Sequence, residues 1–204
     1  MTNSAEHTHQ IDRETGKLGM WIFLFTELFL FGGLFLVYAV FRARYTEEFH
    51  LAAYGLDAFI GTINTVALLI SSMTVAMSIT AIQKKKPDLS VKLILITVIL
   101  ALVFMINKYF EWGHKFELKL YPGSDVLLTL ERGELLFIGL YYMMTGLHAL
   151  HVIIGMVLLI ICAFKINSGA INKDHFLLLE NSGLYWHLVD LIWIFLFPLL
   201  YLIT

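Results

Sequence analysis

Five stretches of this 204-residue chain are each apolar enough, over enough residues, to have lipid rather than water as their solvent. A bilayer core of about 30 Å takes about 20 apolar residues of helix. The segments 18–41, 58–82, 93–112, 135–164 and 183–204 all meet that length. The first contains one charge, Glu27, and the second contains none. The third is clean until Lys108 and Glu111 near its end, the fourth holds His148 and His151, and the fifth holds His187 and Asp190. Strands of a membrane barrel would run about ten residues with alternating polarity, and nothing here alternates. The expected fold is an all-α membrane protein, a bundle of five transmembrane helices.

Composition agrees. The chain is 59% hydrophobic and 15% charged, where soluble domains carry roughly 25% charged residues. The links are short, and 113–134 is the longest, with a Pro122-Gly123 turn inside it. With no internal repeat, residues 17–204 read as one transmembrane domain behind a polar N-terminal tail, 1–16. That tail has no apolar core and is not a cleavable signal peptide. His7 and His9 within it could suggest a metal-binding tail, but a solvated terminus is the simpler reading. A net charge of −2 offers no basic face to a nucleic acid. Cys162 stands alone inside an apolar block, so it reads as a packing residue, and no disulfide framework or thiolate metal site follows.

Basic residues in short loops orient a multi-pass protein, because the cytoplasmic side carries the excess. With five spans, Arg13, Lys17, Lys84, Lys85, Lys86, Lys92, Lys165 and Lys173 share one side. Arg42, Arg44, Lys115, Lys119 and Arg132 share the other. The bias puts the N-terminus in the cytoplasm and the C-terminus outside.

Ionisable groups within a span cost on the order of 2.5–3.5 kcal/mol on insertion scales and therefore need a reason. Glu27 lies about halfway along the first span, with Phe23 and Phe31 one turn to either side. Apolar surroundings penalise its charged form. It reads either as a lipid-headgroup or proton-linked site, or as a neutral carboxyl hydrogen-bonded to a neighbouring helix. His148 and His151 share a helix face that Gly155 continues. Haem ligation would need a partner histidine at matching depth on a facing helix, and His187 is the only spare. A metal site would need clustered ligands. The preferred reading is satisfied core histidines bonding across helices. His187 and Asp190 are one turn apart, within reach of a charge-assisted pair inside their helix. Lys108, Glu111 and Trp112 fall at the outer interface as anchors, where Lys can snorkel and Trp belongs. No catalytic residue is assigned, because no nucleophile–base set, phosphate loop or metal motif appears. Nor do paired discontinuous helices or mirrored halves, which weakens an independent transporter.

Several segments together carry a family resemblance. Residues 185–197 read YWHLVDLIWIFLF and resemble the closing helix of cytochrome c oxidase subunit III, roughly YWHFVDxxWxxLF. Residues 145–155, TGLHALHVIIG, are similar to that family's TGFHGLHVIIG, and 25–33, FTELFLFGG, to its TSEVFFFAGFF. The stretch Tyr109-Phe110-Glu111-Trp112 resembles its YEY/YEW stretch, with Lys108 where Gln is more usual. The match runs from about Gly19 to the C-terminus.

The resemblance implies the short, five-helix bacterial form, in a bacterial cytoplasmic (inner) membrane. It places Glu27 on the buried carboxylate that carbodiimide modifies in this family. It implies a non-catalytic subunit of an aa3- or caa3-type oxidase that reduces oxygen to water. Such a subunit packs on subunit I, with subunit II and a larger respiratory supercomplex as further partners, and holds phospholipid in a cleft. It would support proton uptake and durability of the active site, while haem and copper would belong to partner subunits and this chain would hold no cofactor. The alternatives are a subunit III-like chain of a quinol oxidase or nitric oxide reductase, or an independent transporter.

Overall fold

In a computed structural model, the backbone is described for residues 2–173 and 175–203, and side chains from Glu14 onward, Leu128 apart. Among these residues lie α1 (Thr2–Arg44), α2 (Thr46–Ala53), α3 (Ala58–Gln83), α4 (Pro87–Glu117), α5 (Arg132–Asn167) and α6 (Leu177–Tyr201), plus a short 3-10 turn at Leu127–Thr129. Five of the six are long and apolar enough to span a bilayer, and no strand occurs among the described residues. The fold class expected from the sequence is therefore the one found. The α1 backbone continues into the segment read as a polar tail, but the side chains of His7 and His9 lie outside those described.

The helices start and stop for local reasons. Asp57 caps α3, its Oδ1 accepting from the Phe59 and Ile60 amides at 2.8 and 3.2 Å. Pro87 opens α4, where an amide hydrogen would be unpaired anyway. Glu131 and Glu134 form a reciprocal capping box on α5. Between α3 and α4 the link shrinks to Lys84-Lys85-Lys86. Lys85 takes φ +57, and the Lys86 amide reaches back to the Ala81 carbonyl at 2.9 Å. That turn sets α3 and α4 as a close antiparallel pair.

Helices α3, α4, α5 and α6 form a closed ring in which each packs on the next and α6 returns to α3. Close approach is carved where bulk meets glycine. A Cβ at Gly155 on α5 would stand 2.7 Å from the Trp186 ring of α6, and one at Gly61 on α3 would stand 2.7 Å from Phe197. The ring's centre is aromatic, with Trp193 meeting Phe104 edge-on at 4.8 Å between centroids. Two indoles keep their N–H groups satisfied from α3, Trp186 donating to Ser71 and Trp193 to Thr65, both at 3.0 Å. Cys162 is buried, 3.4 Å from the Ser182 hydroxyl, as a packing residue would be.

Helix α1 lies outside this ring, against α5 and α6. Only 11% of its most apolar window is buried, against 50% for α5 and α6, so most of its apolar surface faces outward. Polar ties fix its register at both ends. Lys17 bonds Glu180 at 2.9 Å, and Tyr38 donates its hydroxyl hydrogen to the Leu199 carbonyl.

Candidate functional site

The middle tie of α1 is the site. Glu27 Oε2 lies 3.0 Å from His151 Nε2 on α5, and the two side chains are 16% and 8% exposed. His151 Nδ1 is 2.7 Å from the Leu147 carbonyl one turn back. A carbonyl only accepts, so Nδ1 must carry a hydrogen. In a neutral imidazole Nε2 is then the acceptor, and the hydrogen between the residues belongs to the Glu27 carboxyl. Moved across, the same hydrogen gives an imidazolium facing a carboxylate. Either form is neutral overall, so the pair holds one proton without placing net charge in the membrane.

Rings wall this pair in. Phe31, fully buried, meets the His151 ring edge-on at 5.4 Å, while Tyr185 stacks on it at 6.3 Å. Phe23 stacks in turn on Tyr185 at 6.0 Å. The two phenylalanines singled out by their one-turn spacing from Glu27 are thus both part of the enclosure. The Tyr185 hydroxyl donates to the His151 carbonyl at 3.3 Å, which ties α6 to the same point. Both nitrogens of His151 are engaged, Nδ1 with the Leu147 carbonyl and Nε2 with the Glu27 carboxyl.

The other intramembrane polar residues depart from expectation. His148 is not a satisfied core histidine: it is fully buried, and among the described residues neither ring nitrogen has a hydrogen-bond partner. It packs between Phe104, edge-on at 5.5 Å, and Trp193, stacked at 5.2 Å, and so behaves as a third aromatic ring. One turn separates it from His151, yet the two serve different neighbours. His187 and Asp190 do not form the intrahelical pair their spacing allowed. His187 Nδ1 is 2.6 Å from the Ser72 hydroxyl on α3, and the buried Asp190 carboxyl faces the same Ser72 rather than His187.

Lys108 corrects the reading of an outer anchor. Its side chain does not snorkel outward but is 2% exposed, inside the end of the bundle. Its amine donates to both Glu111 oxygens at 3.2 Å and to the Tyr201 hydroxyl, and sits 4.8 Å from the Trp193 and Tyr201 ring centres. Glu111 Oε1 also accepts from the Tyr141 and Tyr201 hydroxyls. Trp112, half-buried, stays at the edge against Tyr142. Lys115, one more turn along the same face of α4, belongs to this cluster and escaped the sequence reading. The i, i+3, i+7 spacing of Lys108, Glu111 and Lys115 was the available signal. Among the described residues no group of three or more potential metal ligands assembles.

The sequence profile of one family, described as cytochrome c oxidase subunit III, matches residues 1–204. Cytochrome c oxidase subunit 3 of Rhipicephalus sanguineus is 31% identical over 96% of this chain and 73% of its own length. The probable quinol oxidase subunit 3 of Staphylococcus saprophyticus is 32% identical, covering 100% of this chain and 97% of the relative. The heme-copper oxidase subunit I+III of Aeropyrum pernix is 30% identical over 92% of this chain, which spans 22% of that longer protein.

Proposed function

The chain belongs to the cytochrome c oxidase subunit III family, and on that premise we propose that it is the redox-inert third subunit of an aa3- or caa3-type cytochrome c oxidase in a bacterial cytoplasmic membrane. Membership makes it a subunit of a haem–copper oxidase, supplied with electrons by cytochrome c or by quinol. Haem and copper sit in subunits I and II. Packing on subunit I is favoured by the Aeropyrum relative, whose name joins subunits I and III. The basic residues orient the N-terminus to the cytoplasm. A larger respiratory supercomplex is a further partner.

The observation that carries a role in proton uptake and durability is the Glu27–His151 contact. A single proton shared between two bases, in either of two neutral forms, suits a group that passes protons without a charge penalty. Its position supports a link to lipid as well. Glu27 projects from the spanning helix whose apolar window is the least buried of the five, so bound phospholipid along α1 would touch the enclosure around the pair. Phe25 and Phe29, both exposed and meeting edge-on at 4.6 Å, offer acyl chains a firm surface there.

The test is Glu27→Gln in the assembled oxidase. The amide keeps the volume and can donate to His151, so assembly and the haem spectrum stay normal. Slower proton uptake or faster inactivation during turnover is the expected result. Wild-type turnover, pumping and lifetime would reduce the pair to interhelical adhesive.

A quinol oxidase is the second reading, favoured by the relative this chain covers over 97% of its length. Oxygen consumption with reduced cytochrome c, and separately with quinol, decides between them.

A further inference from the structure

The end of the bundle nearest the C-terminus of α4 buries two amines against one bonded carboxylate. Lys108 and Lys115 are 2% and 7% exposed, on one face of α4 with Glu111 between them. Glu111 is fully engaged by Lys108, Tyr141 and Tyr201. The Lys115 amine makes one long hydrogen bond, 3.4 Å to the Gly55 carbonyl, and lies 5.3 Å from the Tyr141 ring centre. An ammonium has three donors, so this leaves two without a close acceptor among the described residues. A buried cation in that state is costly unless an anion joins it.

There is room for one. Lys115 and Gly55 line a cleft of about 520 Å³ between the turn after α2 and the last turns of α4. Two carboxylates share its walls. Glu111 is occupied as described, and Asp57 Oδ1 holds the first amides of α3. His114 lines it too but stands 4.0 Å from Glu117, with both side chains well exposed. At the mouth, Tyr54 and Phe110 are strongly exposed, as aromatic rings are where hydrocarbon meets headgroups.

We propose that Lys115 is the anchor of a phosphate-binding site in this cleft, and that the phosphate is the headgroup phosphate of an anionic phospholipid from the leaflet at this end of the bundle. Phosphate oxygens supply the acceptors the amine lacks, and the exposed rings take the glycerol and upper acyl chain. The site is remote from Glu27, and it rests on the lipid-binding part of the proposed function.

The oxidase complex carrying wild-type, Lys115→Gln or Lys115→Arg chain is washed in mild detergent and weighed by native mass spectrometry. The expected result is one anionic phospholipid held by the wild-type and Arg forms and lost from the Gln form. Equal lipid counts in wild-type and Gln complexes overturn the proposal. Acylation of Lys115 in delipidated wild-type complex, read by peptide mass, provides a second arm that needs no variant to fold. Vesicles of phosphatidylglycerol and phosphatidylcholine should protect Lys115, and millimolar inorganic phosphate should not. Equal protection by inorganic phosphate would make this a free-anion site and overturn the lipid assignment. Protection that persists without lipid would assign the site to a partner's carboxylate and also overturn it. Carbodiimide labelling of Glu27 in the Lys115→Gln complex separates a failure here from a failure of the Glu27 reading.

Discussion

Glu27 on α1 and His151 on α5 meet at 3.0 Å, and this contact is the polar tie that joins α1 to the helix ring midway along the helix. The ties at either end, Lys17 with Glu180 and Tyr38 with the Leu199 carbonyl, use groups nearer the membrane surfaces. The central pair is the one whose loss would leave a polar group stranded in hydrocarbon.

Coupling between the two residues should therefore be measurable. Glu27→Leu strands Nε2 of His151, and His151→Leu strands the carboxyl. Each should cost about 1–3 kcal/mol. The double variant should cost less than the sum, with a coupling of about 0.5–3 kcal/mol. Thermal unfolding of the four proteins in one detergent reads this directly, and strict additivity would mean that the contact does not form.

Dicyclohexylcarbodiimide should label Glu27 ahead of every other carboxyl in the chain. A hydrophobic carbodiimide reaches its target through lipid, and α1 is the spanning helix whose apolar window is least buried. Asp190 is also buried, but it is closed in at the α3–α6 contact beside Ser72 and His187. Peptide mapping should find the label on Glu27 and lose it in Glu27→Gln. Label found mainly on Asp190 or Glu111 would reverse the assignment.

His148 and His151 are one turn apart, and their substitutions should diverge. His148 makes no hydrogen bond among the described residues and packs between rings, so His148→Phe should leave stability within about 1 kcal/mol of wild type, since no partner is stranded. A loss comparable to that of His151→Leu, in the same unfolding assay, would reveal a hydrogen bond to His148.

Much of this architecture was legible because lipid simplifies the problem. Each span is a long apolar run, and the five runs reappear as five helices, most of their ends extended but the last stopping at Tyr201. The one-turn spacing of Phe23, Glu27 and Phe31 also identified the carboxyl's enclosure. Partner choice was not legible. His151 takes a glutamate 124 positions away, and His187 takes Ser72 across a helix contact rather than Asp190 one turn on. Periodicity fixes which face a residue occupies, but not which helix that face meets. The turns were hidden for a chemical reason. Lys85 and Lys119 take the left-handed conformation at two helix ends, where glycine is the usual signal. Lys108 was misplaced because its position near a span's end suits an anchor equally well. Only the fold shows Tyr201 returning from the last helix to enclose it.

That enclosure makes a further prediction. Lys108→Met leaves the Glu111 carboxylate buried without its closest cation, and breaking a buried pair from one side costs about 3–5 kcal/mol. Adding Glu111→Gln should recover most of the loss, because the amide removes the stranded charge while still facing the Tyr141 and Tyr201 hydroxyls. Assembly yield and melting temperature of the single and double variants report the outcome. If the double variant is no better than the single, Lys108 acts by packing against Trp193 and not by charge.

The most direct test of the whole account is to tag this chain, extract it from its native membrane in mild detergent, and identify what comes with it. Subunits I and II of a haem–copper oxidase should co-purify in equal amounts, and the complex should show the visible bands of haem and reduce oxygen. The same chain stripped of those partners should show no Soret band. A chain that purifies alone, or that keeps a Soret band once its partners are removed, would contradict its assignment as a redox-inert oxidase subunit.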